Sequence, residues 1–193
     1  MNENKQLEKR TQEKALNVEV LRPEKRKDTP YFNKDFILDK LKQITNPRDK
    51  FFCMFLFMSG VRVSEAISIK KQDIDLENKT MRVDWLKSRK YLHRNVPIHS
   101  QLCNMLEIYT GKLNKDDKVF DFSRQQAWNI TQKWFNSNPH IFRHSFAVNY
   151  LREGGRIENL CRLMGHTNIK TTMEYLKIVP VDLGKELETI KFN

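Results

Sequence analysis

The run FFCMFLFM at positions 51–58 constrains this chain more than any other stretch. Eight consecutive apolar residues must leave water, yet they fall far short of the roughly 20 helical residues that span a bilayer. The run therefore reads as the middle of a buried helix over 48–59, stopped by Gly60, a residue type suited to a helix C-cap. A helix buried all round needs a core around it, and 193 residues at 39% hydrophobic content suit one compact domain. The chain is also highly charged, at 31% Asp, Glu, Lys and Arg with a formal net charge of +11. That excess favours a polyanionic partner, and with no membrane span, nucleic acid is preferred over an anionic lipid surface. The opening MNENKQLEKRTQEK has no apolar h-region of a secretory signal, so a cytoplasmic location is expected, in a host cell if the chain is borne by a virus or plasmid. Cys53, Cys103 and Cys161 are odd in number and lack CxxC spacing, which reads as free thiols in a reducing compartment.

Residues 1–30 interleave Lys, Arg and Glu and end in RPEKRKDTP, the composition of a charged tail or linker with at most a short helix. From Tyr31 the pattern becomes helical, with Asn33 as an N-cap and Phe36, Ile37 and Leu41 at helical spacing. Ser64 reads as the N-cap of a short helix through EAISI. Between Asp73 and Ile98 the period drops to two: Met81, Val83 and Trp85 alternate with Arg82, Asp84 and Leu86. KSRK at 87–90 reads as a hairpin tip, and Pro97 marks an edge position or the end of the return strand. Helical patterns follow at 100–110, 123–136, 139–152, 156–164 and 168–177, with a last piece near 182–190. The expected fold class is mainly α with a small antiparallel β-sheet (α+β).

Several polar residues break these apolar patterns. Arg62 stands between two valines in a turn joining two helices, where it is a clamp on helix ends or a catalytic group. Pro139 suits a first helical turn, which places His140 and Arg143 on one face near a helix N-terminus, a setting that attracts anions. His140 and His144 also have the i,i+4 spacing of two zinc ligands, but Ile141 stands where a zincin has Glu, so no metal site is expected and His144 reads as structural or as a support behind the site residues. Gly165 ends one helix and leaves His166 at a corner between two packed helices. Beyond it Ile169, Thr172, Met173 and Leu176 form a stripe that anchors the next helix, while Tyr175 lies roughly 110° from the stripe's centre at 100° per residue. Attack on a phosphodiester builds negative charge on phosphorus, which arginine forks stabilise, and a tyrosine with an ordinary pKa near 10 needs cations or a base to become the nucleophile.

GVRVSE, NPHIFRHSFA, LMGH and TTMEYL resemble, in order and spacing, the successive boxes of the tyrosine recombinase (phage integrase-like) catalytic domain over about residues 31–180. The resemblance implies that fold and a site-specific recombinase that cuts and rejoins DNA without metal or nucleotide cofactor. By matched position Tyr175 is the nucleophile that forms a 3′-phosphotyrosyl bond. Arg62, Arg143 and His166 hold the non-bridging oxygens, and His140 assists proton movement at the tyrosine. The family's hairpin lysine, which protonates the leaving 5′-oxygen, falls on Lys87 first and Lys90 second, although LKSRKYLHRN lacks the usual glycines. Arg62, Lys87, Arg89, Lys90 and Arg143 are expected to touch double-stranded DNA carrying a specific recombination site. The implied assembly is a homotetramer on DNA, monomeric or weakly associated when free. Residues 181–193 would form a C-terminal helix whose Val181, Leu183, Leu187 and Ile190 either dock onto a neighbouring protomer or pack on their own domain. Most relatives carry a core-binding domain of about a hundred residues ahead of this region, where about thirty polar residues stand here. The competing readings are a non-catalytic DNA-binding module, a type IB topoisomerase-like enzyme, and a metallohydrolase built on His140, His144 and His166.

Overall fold

Asn33 starts the first helix as its sequence predicts: its side-chain oxygen accepts the Phe36 N–H at 2.8 Å, satisfying one of the free donors of α1 (Lys34–Gln43). The computed structural model describes residues 30–84 and 93–179; the expected tail, the hairpin tip with Lys87, Arg89 and Lys90, and the C-terminal segment lie outside them. Pro47 opens α2 (Pro47–Ser59) at a position where its missing N–H costs nothing, and Asn46 caps it through the Asp49 N–H. Phe51, Phe52, Cys53, Phe55 and Leu56 of this helix are all buried. Their partner is Phe120, whose ring centroid lies 5.5, 5.1 and 5.1 Å from those of Phe51, Phe52 and Phe55. Each phenyl removed from water contributes roughly 1.5–3 kcal/mol, so this cluster anchors the domain.

The next helix departs from expectation. It is α3 (Val63–Ala66), with Arg62 rather than Ser64 at its N-cap, and it ends before Ile67. The reason is Glu65, whose Oε2 reaches back to accept the Arg62 N–H at 2.8 Å and fixes the start two residues early. The period-two segment yields an antiparallel sheet ordered β1 (Ile74–Asp75), β2 (Thr80–Asp84), β3 (His93–Pro97). Met81 pairs with Val96 and Val83 with Arg94, so Met81, Val83 and Val96 point into the core. Pro97 closes the edge strand β3, so both readings of that proline hold.

Four helices follow: α4 (Ser100–Thr110), α5 (Arg124–Phe135), α6 (His140–Arg152) and α7 (Ile157–Met164). α6 packs against α2 and continues with α7 into a second apolar cluster of Ala147, Val148, Leu151, Leu160 and Met164. Gly165 closes α7 in the left-handed region (φ 64°), and α8 (Ile169–Met173) runs into a 3₁₀ turn, Glu174–Lys177. All three cysteines are free. Among the described residues no helix is long and apolar enough to cross a membrane.

Gly60, at the seam between the two clusters, has φ +63° and lies against the Phe146 ring of α6, inside which a Cβ would fall. Gly60→Ala combines a left-handed alanine with overpacking and is expected to cost roughly 2–4 kcal/mol, read as a lower urea midpoint at unchanged slope.

Candidate active site

The face of α6 that carries positions 140, 143 and 144 looks onto both the Gly165 corner and the 3₁₀ turn. Arg143 is only 2% exposed, because its guanidinium is used inside the protein. Nη1 donates to the Gly60 carbonyl (2.7 Å), and Nη2 donates to the Met164 carbonyl (2.7 Å) and to Nε2 of His166 (3.0 Å). One side chain thus ties the end of α2 to the end of α7. Both carbonyls belong to helix ends and lack a partner within their own helix. Burial, followed by the charge of Arg62, pulls the Arg143 pKa down to about 10, which leaves it cationic at neutral pH.

Arginine has no acceptor, so the His166 Nε2 facing it must carry the lone pair. The proton is then on Nδ1, which donates to Thr172 Oγ1 at 2.8 Å. This relay fixes a neutral His166 in one tautomer and joins α8 to the corner. Burial first, then Arg143 and Arg62, lowers the His166 pKa to about 4.

Arg62 and Arg94 share one buried carboxylate. Arg62 Nη1 reaches Glu65 Oε1 at 3.0 Å, and Arg94 grips Glu65 with both nitrogens at 3.2 and 2.9 Å. Burial alone would raise the Glu65 carboxyl, but the bonds and charge of Arg94, with those of Arg62, outweigh it and hold the group below its ordinary range. Arg94 also donates from Nε to the Leu163 carbonyl (3.3 Å), so strand β3 is tied to the same corner.

Tyr175 corrects the helical-stripe reading. Tyr175 is buried at 5% exposure and Thr172 is fully buried, while Ile169 and Met173, expected as anchors, are 44% and 48% exposed. The cause is the change to 3₁₀ geometry after Met173: three residues per turn align Thr172 with Tyr175 on the inner face. The Tyr175 hydroxyl lies 2.8 Å from Nδ1 of His144. His140, expected at the tyrosine, packs its ring edge to face on His144 instead, with centroids 4.5 Å apart. Burial, then His140, Arg143 and His166, lowers the His144 pKa to about 4; burial raises that of the Tyr175 phenol, against the opposing pull of Arg143 and Arg62.

Of the residues expected at the site, Arg62, His140, Arg143, His166 and Tyr175 are brought together, and Lys87, Arg89 and Lys90 lie outside the described residues. The sequence points to no site role for Glu65, Arg94 or Thr172, and it presents His144 as structural or as a support behind the site residues. Two of these had a legible signal: His144 shares the His140 face at i+4, and Arg94 shares the inward face of β3 with the core residue Val96.

A pH dependence follows from the histidines. Their folded pKa values lie near 4, below the unfolded value of about 6.5. Between these limits the unfolded chain binds more protons, so their contribution is full above pH 6.5 and lost as pH falls toward 4. Glu65, held low, adds to the loss only below about pH 4.3. Thermal melts from pH 7 to pH 4 are expected to show this fall, and His166→Gln to flatten it.

The sequence model of the phage integrase family matches residues 34–180. Tyrosine recombinase XerA of Pyrococcus horikoshii is 31% identical over 173 residues, covering 79% of this chain and 60% of that protein. The chain spans 56–62% of the length of the first five curated relatives it matches. The fold is similar to the catalytic domain of bacteriophage HP1 integrase, with TM-score 0.66 and 24% identity over 84% of this chain and 94% of that one. It is also similar to the XerH site-specific recombinase bound to a palindromic difH substrate in a post-cleavage complex, with TM-score 0.68 and 17% identity over 82% of this chain and 52% of that one.

Proposed function

This chain belongs to the phage integrase family, and from that membership we propose that it cuts and rejoins DNA strands at a specific recombination site through a 3′-phosphotyrosyl bond at Tyr175, without metal. The observation that carries the reading is a single face of α6 whose side chains meet both the His166 corner and the Tyr175 hydroxyl. A phosphodiester seated there meets fixed cations, which lower the barrier because they need no reorganisation when charge develops.

Arg62 and Arg143 donate to the non-bridging oxygens. An oxygen arriving between Arg143 and His166 replaces their 3.0 Å bond, and its charge favours protonation of His166, which then donates too. Tyr175 Oη bonds to phosphorus as the bond to the 5′-oxygen breaks, and that oxygen takes a proton from Lys87 or Lys90. Reversal by another strand's 5′-hydroxyl completes the exchange. The partner is double-stranded DNA, supported by the net charge of +11 and by the DNA-bound state of the similar XerH structure. A homotetramer on DNA is the assembly that exchange of four strands calls for.

Nicked suicide duplexes with randomised half-sites, quenched in detergent in the presence of chelator, test the reading. A protein–DNA adduct is expected, and strand exchange between two duplexes with it. DNA binding without an adduct would leave a binding module, supercoil relaxation without exchange a topoisomerase, and loss of the adduct in chelator a metal enzyme.

A further inference from the structure

We propose that His144 is the group that takes the proton from Tyr175, an inference that rests on the recombinase reading above. The Tyr175 hydroxyl and His144 Nδ1 are 2.8 Å apart, within the reach a general base needs. The transfer uses the tautomer in which Nδ1 carries the lone pair and accepts the phenol O–H. His144 is held firmly in this position. It projects from the middle of α6, one residue after Arg143, and its ring is braced by the His140 ring at 4.5 Å. His166 is committed at both nitrogens, to Arg143 and to Thr172. Among the described histidines, only His144 has a ring nitrogen hydrogen-bonded to the Tyr175 hydroxyl.

The electrostatics explain why the transfer waits for DNA. His144 is faced by His140 and Arg143 on its own helix, by His166 at the Gly165 corner and by Tyr175 from the 3₁₀ turn. With this field unneutralised, burial and the surrounding positive charge keep the imidazole neutral, and burial keeps the phenol neutral against the pull of Arg143 and Arg62. A phosphodiester anion beside Arg62 and Arg143 offsets the cationic field and makes the imidazolium easier to form. In the step itself the phenol O–H breaks, its proton passes to Nδ1, Oη bonds to phosphorus, and the 5′-oxygen leaves with a proton from the hairpin lysine. In the reverse step the imidazolium returns the proton as Tyr175 leaves.

His144→Asn tests this. The asparagine amide keeps a hydrogen-bonding atom near the Nδ1 position and removes the basic nitrogen. On the same nicked duplexes, adduct formation is expected to slow by roughly 100-fold or more, with DNA binding and melting temperature near wild type. Placing 3,5-difluorotyrosine at position 175 gives a more acidic phenol, and the asparagine defect is then expected to shrink below about tenfold. His144→Gln provides a second variant if the asparagine protein melts early. A rate within about threefold of wild type would overturn the proposal. So would a defect that stays undiminished with the fluorinated phenol, since that is the mark of a residue that only positions Tyr175. No adduct from the wild-type chain on any duplex would instead remove the recombinase reading, and this inference with it.

Discussion

Tyr175→Phe is expected to abolish covalent attachment to DNA, by at least roughly 10⁴-fold, while leaving DNA binding intact. The phenyl ring fills the same inner face of the 3₁₀ turn, beside Thr172, so the local packing survives. What disappears is the oxygen that bonds to phosphorus; His166 stays committed to Arg143 and Thr172, and arginine is no nucleophile. Loss of the hydroxyl leaves His144 Nδ1 without its partner, at a cost of about 1–3 kcal/mol in stability. A detergent gel reads the first effect and a urea titration the second. An adduct that persists in the phenylalanine variant would move the nucleophile elsewhere and undo the assignment.

Arg143→Lys is expected to cost both stability and chemistry, although charge is preserved. Arg143 satisfies two helix-end carbonyls, at Gly60 and Met164, and the His166 nitrogen with one planar fork. An ammonium is a single point on a flexible stem and cannot reach all three, so at least one buried carbonyl is left unpaired. At about 1–3 kcal/mol for each unmet group, a loss of roughly 2–4 kcal/mol is expected in the urea midpoint. The corner that holds His166 then loosens, and a phosphate loses a rigidly held donor. Cleavage is expected to fall by roughly 10²–10³-fold, the range seen when one preorganised donor is removed from an anionic transition state. A lysine variant as stable and as active as wild type would show that the fork is dispensable.

Much of the fold is legible in local pattern. The Asn33 cap, the Pro47 start, the Gly60 and Gly165 stops and the inward Met81, Val83 and Val96 rest on backbone and hydrophobic rules that act within a few residues. The α3 boundary escapes such rules because Ser64 is a good cap by type, while the Glu65 carboxylate is held by Arg94 from a strand some thirty positions away. The Tyr175 face escapes them because a 100° wheel assumes α geometry throughout, and hydrophobicity alone favours Ile169 and Met173 over a phenol. The helix face puts His144 beside His140, but its pairing is hidden because the Tyr175 hydroxyl comes from another element.

The sequence by itself determined the elements, their order, the basic charge, and the arginines, histidines and tyrosine that chemistry would require. Those depend on side-chain type and short-range spacing, which a chain carries before it folds. Only the tertiary structure decided which groups meet: that Arg143 bridges two helix ends, that His166 is held in one tautomer, and that Tyr175 turns inward and meets His144 rather than His140. Such pairings depend on where separate helices stop and how they cross, and burial then sets the ionisation of what they bring together.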